Sequence, residues 1–457
     1  MQIIFVNRYF HPDHSATSQM LSDLAFALAK SGYKIAVVTS RQLYDRPQSE
    51  LPGRETVASV VVHRVWTSRF GRHNLIGRAI DYLTFYLSAA WRLWRVSRQD
   101  DVIVAKTDPP MLSVVTAPIA RMRRAKPVNW LQDLFPEVLE ALDADRNSVR
   151  RTVYNVMRTL RNRSLRQAHM NIAIGERMAE RLARFDLPPE RIRIISNWAD
   201  GALVAPRGHD ANSLRQEWGL QSKFVVGYSG NLGRAHEVDT LIEAIADLEQ
   251  GCNGRSARRG EEGRKCDVAW LFVGGGALYR RLQAEIVTRN LTSVHFRPYQ
   301  PRERLAESLS VPDVHLVSLR PDLEGLIVPS KYYGIAAVGR PTIFVGDTDG
   351  EIARILKADG AGQSVALGDG AGLATLIRAL VANPDLARDM GGRARKGFEH
   401  RFDFPIAISA WEQVLGAAPP TLIESAHNNT YRPVDVRQNL GTTKHHNPSH
   451  EQIRKAG

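Results

Sequence analysis

The chain has 457 residues, 43% hydrophobic and 24% charged, with 61 Lys and Arg against 48 Asp and Glu for a formal net charge of +13. That length accommodates two or more large cores, and the composition excludes a fibrous or wholly disordered chain. The surplus positive charge points to a polyanionic partner, with nucleic acid, an anionic membrane and phosphorylated substrates as the candidates.

Met1 to Arg8 carries no basic leader, and Asn7, Arg8, His11 and Asp13 break its apolar run, so no secretory signal is expected. Strands are predicted at 3–7, 35–40, 60–66, 102–106, 128–133, 171–175 and 192–197, with helical periodicity between them at stretches such as 20–30 and 176–185. Alternation of this kind builds a parallel sheet with crossover helices. The segment 76–96 comes nearest to a spanning helix, but Arg78, Asp81, Arg92 and Arg95 interrupt it.

Residues 201–212 are polar, aperiodic and contain Pro and Gly, as expected of a linker. The pattern then restarts, with strands predicted at 224–228, 269–273, 294–297, 314–318, 342–345 and 364–366. Helices are predicted at 239–248, 277–288, 302–308, 331–338, 351–358, 372–382 and 403–416. The expected architecture is α/β: two Rossmann-like doubly wound domains, 1–202 and 203–400, facing across a cleft. A C-terminal helix at 401–417 is expected to cross back to the first domain, and 418–457, lacking apolar periodicity, reads as a disordered tail. Cys252 and Cys266 bracket a Gly/Arg/Glu-rich stretch and read as bystanders in a surface insertion.

Ligands of open α/β sheets bind beyond the carboxyl ends of the strands, so segments just after strands carry the chemistry. After 3–7 comes a loop holding His11, Asp13, His14 and Ser15, expected to face the cleft. Asp133 ends another strand and has two readings: a carboxylate that orients hydroxyls or steadies developing positive charge, or a cap on the helix that Pro136 and Glu137 begin. In Tyr228–Arg234, Gly230 and Gly233 admit close approach of a ligand, and Arg234 and His236 are placed to meet phosphate. Gly274, Gly275 and Gly276 precede a further helix, whose N-terminus suits an anion. Their spacing is not the dinucleotide fingerprint, which disfavours a nicotinamide enzyme.

The segment Asp322–Pro341 gives the strongest signal. Pro329 and Ser330 start a helix and Gly339 ends it, so Gly325 to Lys331 presents backbone donors and one ammonium. In the first turn Lys331 opposes the helix dipole at a cost of up to about 1 kcal/mol, a conflict that a bound diphosphate resolves.

Together these phrases carry a resemblance: Tyr9-Phe10-His11-Pro12, Trp130-Leu131-Gln132-Asp133-Leu134-Phe135-Pro136-Glu137, Ser196-Asn197-Trp198-Ala199-Asp200, Tyr228-Ser229-Gly230-Asn231, Pro329-Ser330-Lys331 and Gly339-Arg340-Pro341. From Met1 to about Trp411 the chain resembles the retaining GT-B glycosyltransferases of family 4, and most of all their colanic acid, O-antigen and exopolysaccharide branch. The resemblance implies a second domain that holds a UDP- or GDP-sugar and a first domain that holds a lipid-linked saccharide acceptor, with no cofactor and no metal. Asp133, Lys331 and Arg234 are the expected catalytic residues. The expected contacts to the donor sugar nucleotide are Gly230, Asn231, Gly274, Gly275, Glu324, Gly325, Leu326, Ser330 and Tyr333; those to the acceptor are His11, His14 and Gln132.

The chain also departs from the family pattern. Many relatives carry paired glutamates where Leu326 and Gly334 stand here, leaving Glu324 as the nearest carboxylate. The usual arginine and lysine of the diphosphate clamp correspond to Asn231 and His236, so Arg234 and Lys331 are the expected substitutes, and Gln132 takes the place of a common histidine. A nucleotide-sugar epimerase of the same fold and a non-catalytic scaffold of a polysaccharide assembly complex are the alternatives.

Residues 67–98 interleave Arg69, Arg72, Arg78, Arg92, Arg95 and Arg98 with Tyr82, Phe85, Tyr86, Trp91 and Trp94, and a second helix carries Arg150, Arg151, Arg158, Arg161, Arg163 and Arg166. That pairing of arginine with aromatics suits a headgroup interface, so a cytoplasmic protein peripheral on the inner face of the plasma membrane is expected. Nucleic acid is disfavoured, because no helix-turn-helix, zinc finger or RNA-binding aromatic signature is present.

Overall fold

The computed structural model describes residues 1–46, 48–71, 75–143, 148–259 and 268–416. The expected tail, Arg72 and Cys266 lie outside the described residues. Eight strands build the first sheet: β1 (Ile3–Val6), β2 (Ile35–Ser40), β3 (Arg54–Val57), β4 (Val60–Val65), β5 (Val102–Ala105), β6 (Lys126–Trp130), β7 (Met170–Ala173) and β8 (Ile192–Ile194), in the order β3-β4-β2-β1-β5-β6-β7-β8. All pairings are parallel except that of β3 with β4. β1 is apolar throughout because helices cover both faces: Ile3 and Phe5 join one core, Ile4 and Val6 the other.

Six parallel strands build the second sheet: β9 (Phe224–Asn231), β10 (Val268–Gly275), β11 (Val294–Arg297), β12 (Val314–Ser318), β13 (Thr342–Val345) and β14 (Gly362–Val365), in the order β11-β10-β9-β12-β13-β14. Strand order therefore reverses between β1 and β5 in one sheet and between β9 and β12 in the other, which opens a crevice at each carboxyl edge. β9 and β12 pair at only two positions, Val226 with Val314 and Gly227 with His315. Both sheets belong to one compact unit.

A continuous apolar core joins the two halves: Leu131, Leu134 and Met178 of the first pack in one cluster with Leu323, Leu326, Tyr333 and Phe402 of the second. Helix Phe404–Leu415 returns to the first sheet, where Trp411 is fully buried and meets Trp130 edge-on at 4.8 Å. Asp403 fixes that crossing by accepting the Gly201 N–H at 2.9 Å.

The strands at β11, β12 and β13 match their predicted bounds. β3 was not predicted; it is a short edge strand, half exposed and polar at Arg54 and Glu55. Helix Pro384–Arg401 was also not predicted, since its buried positions, Ala387, Met390, Ala394 and Phe398, are few among charged residues. Helix Asp239–Arg259 runs on well past residue 248 and carries Cys252.

Candidate functional site

At the second sheet's crevice the loop after β9 folds back over the end of β12. His236 Nδ1 lies 2.7 Å from the Ser318 carbonyl, which fixes the proton on Nδ1 and leaves Nε2 as an acceptor. Lys331 Nζ stands 3.0 Å from that Nε2 and 5.1 Å from the centre of the Tyr228 ring. Burial, and then the Lys331 charge, lower His236 to about 4; burial lowers Lys331 to about 8. The pair thus carries one positive charge near neutral pH, and Lys331 carries it.

Lys331 opens the helix Lys331–Ala337, and Ser330 before it is exposed and caps nothing with its side chain. The lysine stem lies across the end of β9, where Gly230 has φ +122° and a Cβ would stand 2.7 Å from Lys331 Cε. Gly274 (φ +133°) is needed for a different contact, because its Cβ would fall 2.4 Å from the Gly230 carbonyl oxygen. The Gly274–Gly276 segment therefore packs on the β9 loop: the Leu232 N–H donates to the Gly275 carbonyl at 2.7 Å, and the next helix begins only at Tyr279. Asn231 and Arg234 are exposed at this edge, and Arg234 and His236 help line a cleft that also includes Leu142 of the first half.

Other residues expected at the donor sugar are drawn into the interface between the halves. Tyr333 is 1% exposed with its ring 5.1 Å from Phe402, and Leu326 is 3% exposed in the same cluster. Both were expected at the donor, and in the fold apolar burial takes up their side chains. The Leu326 carbonyl accepts the Leu134 N–H at 2.9 Å, and Gly325 (φ +71°) fits where a Cβ would stand 2.8 Å from the Arg177 carbonyl oxygen. Glu324, 4% exposed, accepts the Glu351 N–H at 2.8 Å and so caps the helix Glu351–Asp359. Glu351 in turn accepts the Arg177 N–H of helix Glu176–Ala183 at 2.9 Å, and burial pushes its carboxyl up to about 7.

At the first sheet's crevice, Lys106 follows β5 and is 2% exposed, with Nζ 2.9 Å from the Thr17 carbonyl and 3.8 Å from the centre of the Trp130 ring. Burial draws it down to about 7 against the upward pull of Asp108, Asp133 and Asp23. Burial and the Asp108 charge push Asp133 up to about 6. Of the two readings of Asp133, capping is excluded: helix Glu137–Leu142 follows Pro136 with no side-chain cap. Gln132 Nε2 donates to Asn197 Oδ1 at 3.0 Å. His11 and His14 are exposed on a loop that buried Asp13 organises, accepting from Ser15 N at 2.8 Å and from Tyr44 N. Among the described residues no group of three or more His, Cys, Asp or Glu is placed to hold a metal ion.

The site residues that sequence reasoning missed are Lys106 and Glu351, while Tyr228 stood in a quoted motif without a role of its own. No motif marks the first two, because each owes its place to burial against an element far away in the chain.

Residues 16–198 match the glycosyl transferase 4-like domain family. The chain is 26% identical to a probable glycosyltransferase, WbjE, of Pseudomonas aeruginosa over 78% of this chain and 84% of that one. It is 20% identical to a putative colanic acid biosynthesis glycosyl transferase, WcaI, of Escherichia coli K12 over 78% and 86%. Among solved structures it is similar to Anabaena Alr3699/HepE in complex with UDP-glucose, with a TM-score of 0.64, 18% identity, and coverage of 91% of this chain and 98% of that one. Structural likeness at that identity speaks for the fold, which is GT-B. A glycosyl transferase 4-like domain is thus matched over residues 16–198, and two doubly wound parallel sheets in one compact unit give the chain the GT-B fold.

Proposed function

We propose that the protein transfers a sugar from a UDP- or GDP-sugar to a lipid-linked saccharide in cell-surface polysaccharide biosynthesis, with retention at the anomeric carbon. The observation that carries this reading is the Lys331 ammonium, held by neutral His236 and the Tyr228 ring at the β9–β12 crevice. A diphosphate there meets one fixed charge and the free N–H groups of the turn before the helix, with exposed Arg234 at the rim. The relatives' names agree with the class, since WcaI is described for colanic acid biosynthesis and the HepE structure holds UDP-glucose.

In the reaction, the bond from the anomeric carbon to the β-phosphate oxygen breaks and its electron pair stays on that oxygen, beside Lys331. The acceptor hydroxyl attacks from the same face and passes its proton to the departing phosphate oxygen. Fixed cationic donors stabilise the leaving charge, so the mechanism requires no metal ligand pair. Asp133, which receives no hydrogen bond among the described residues, is the carboxylate available to orient a hydroxyl or to steady positive charge on the sugar.

The acceptor side is proposed to lie on an anionic membrane. Helices Leu75–Val96 and Ser148–Gln167 flank Leu112–Arg123. The first buries Phe85, Ala89 and Leu93, yet on its opposite face exposes Ile80, Leu83, Leu87, Trp91 and Trp94. The second exposes Val149, Val153, Val156 and Leu160. No helix is long and apolar enough to cross a membrane among the described residues. Apolar stripes bordered by arginine suit shallow insertion among acidic headgroups.

The test is to incubate the purified protein with UDP- and GDP-sugars and membrane lipid extracts, and to follow sugar incorporation with and without chelator. Transfer that survives chelation with α-to-α configuration supports the reading. Transfer abolished by chelator and restored by magnesium, or an isomerised nucleotide sugar released without acceptor, overturns it.

A further inference from the structure

A second, small pocket lies at the carboxyl ends of β5 and β6, and Lys106, Thr107, Met111, Ser113, Asp133 and Arg161 line it. It shares no residue with the Lys331 site. Helix Leu112–Arg123 points its N-terminus at this pocket: the cap position is Met111 in a left-handed conformation (φ +64°), no side chain caps it, and the first turn holds no acidic residue. An uncapped end leaves N–H groups and a partial positive charge to be met.

An independent feature marks the same place. Arg161, 4% exposed, is held by Glu137, which accepts from Nη2 at 2.5 Å, by Asn162, which accepts from Nε at 2.8 Å, and by the Phe185 ring at 4.4 Å. Its remaining nitrogen, Nη1, is buried and has no acceptor, and Thr107 Oγ1 beside the pocket is likewise buried without a partner. Buried polar atoms are satisfied in nearly every native structure, so two orphans among the residues of one pocket call for a ligand atom. Asp133 also lines the pocket, with a carboxylate that takes no hydrogen bond among the described residues. The pocket therefore combines cationic and N–H donors, Lys106 among them, with the one carboxylate of Asp133.

We infer that this pocket binds an oxyanion of the acceptor saccharide, a carboxylate or a phosphate, on Arg161 Nη1, Thr107 Oγ1 and the first N–H groups of helix Leu112–Arg123, with a neighbouring sugar hydroxyl donating to Asp133. The acceptor class is then an acidic sugar or a sugar phosphate. This deepens the glycosyltransferase reading and rests on it for the ligand's role, though not for its chemistry.

The experiment keeps UDP or GDP, whichever binds, saturating, so that the Lys331 site is filled, and measures binding of glucuronate, glucose 1-phosphate and neutral glucose by saturation-transfer NMR. The wild type is compared with Arg161→Lys and with Thr107→Val, which leaves the Arg161–Glu137 pair intact. At least one of the two anions is expected to bind the wild type in preference to glucose, and which one binds identifies the group. Arg161→Lys should weaken that binding tenfold or more and Thr107→Val severalfold, while nucleotide affinity stays unchanged. Glucose binding as well as either anion, no anion binding, or equal anion binding in the wild type and Thr107→Val would overturn the inference. Failure of both UDP and GDP to bind would instead count against the glycosyltransferase reading.

Discussion

Lys331 Nζ and His236 Nε2 stand 3.0 Å apart on elements that meet only in the folded chain, and the histidine's other nitrogen is committed to the Ser318 carbonyl. The imidazole therefore works as a neutral arm that aims an ammonium. Where the resemblance implies a lysine at position 236, the Lys331 ammonium reaches the same place from the head of the next motif.

The first prediction concerns that charge. With Lys331 lowered to about 8, UDP affinity should fall as pH rises through 8, as the ammonium is lost. Lys331→Met should bind UDP weakly and without that inflection, as titration calorimetry across pH will read. Turnover of Lys331→Ala should drop by about 100-fold or more if the ammonium acts chiefly on the leaving group. Burial also has a stability consequence. His236 falls from 6.5 to about 4, so the unfolded chain takes up the proton first, and its contribution to stability is lost as pH falls from 6.5 to 4.

Gly230→Ala tests the path of the lysine. A methyl there meets Lys331 Cε at 2.7 Å and forces a side chain into φ +122°, a strain of about 1–3 kcal/mol. Melting temperature should fall and UDP affinity should fall with it. A variant that melts lower but binds UDP as well as the wild type would show that the lysine does not need this route.

Why part of this was legible in sequence follows from these residues. Strand-and-helix alternation is local, so both sheets and their carboxyl-edge loops could be read, and Lys331 stood out because a cation in a helix's first turn is unfavourable by itself. Tyr333 and Glu324 sit in the same motif, yet apolar packing against Phe402 and a cap on Glu351 direct them away from the crevice. A motif fixes the backbone course; the burial of each side chain depends on partners from distant segments. Arg161 makes the same point in reverse, since it read as one arginine among many on a basic helix.

Glu351 supplies a prediction about the contact between the halves. Burial raises its carboxyl from 4.5 to about 7, so the folded state keeps a proton that the unfolded state releases between those values. Its contribution to stability is therefore full below 4.5 and is lost as pH rises through 7. Glu351→Gln should remove that slope and be relatively more stable above pH 7. Glu351→Ala also loses the slope, but it removes the acceptor for the Arg177 N–H and should be less stable than Glu351→Gln by about 0.5–2 kcal/mol at any pH, as expected for a lost helix cap. Denaturant melts of both variants at pH 5 and pH 8 distinguish the two effects.

The exposed stripe on helix Leu75–Val96 should govern membrane attachment. Leu87 and Trp91 are 64% and 63% exposed on the face away from the core, so Leu87→Glu with Trp91→Glu should leave folding and UDP binding intact. Co-sedimentation with vesicles containing phosphatidylglycerol should be strong for the wild type, weaken in high salt, and be nearly lost in the double variant. Equal sedimentation of the two proteins would remove this helix from the membrane contact.

The last prediction concerns the returning helix. Trp411 is fully buried against Trp130, whose other neighbours are the Lys106 ammonium at 3.8 Å and Trp198 stacked at 5.7 Å. A chain segment beyond the second sheet thus props the floor of the first sheet's crevice. Trp411→Ala should cost about 3–5 kcal/mol, as for other large-to-small changes in a close-packed core. The informative readout is local: with Trp130 free to tilt, Lys106 loses its ring contact and gains water, so its pKa should rise from about 7 toward 10.5. Heteronuclear NMR of the lysine side chains in Trp411→Phe, a milder variant that keeps an aromatic ring, should show a smaller rise in the same direction. A Lys106 that titrates identically in the wild type and in both variants would mean that the C-terminal helix stabilises the fold without shaping the crevice.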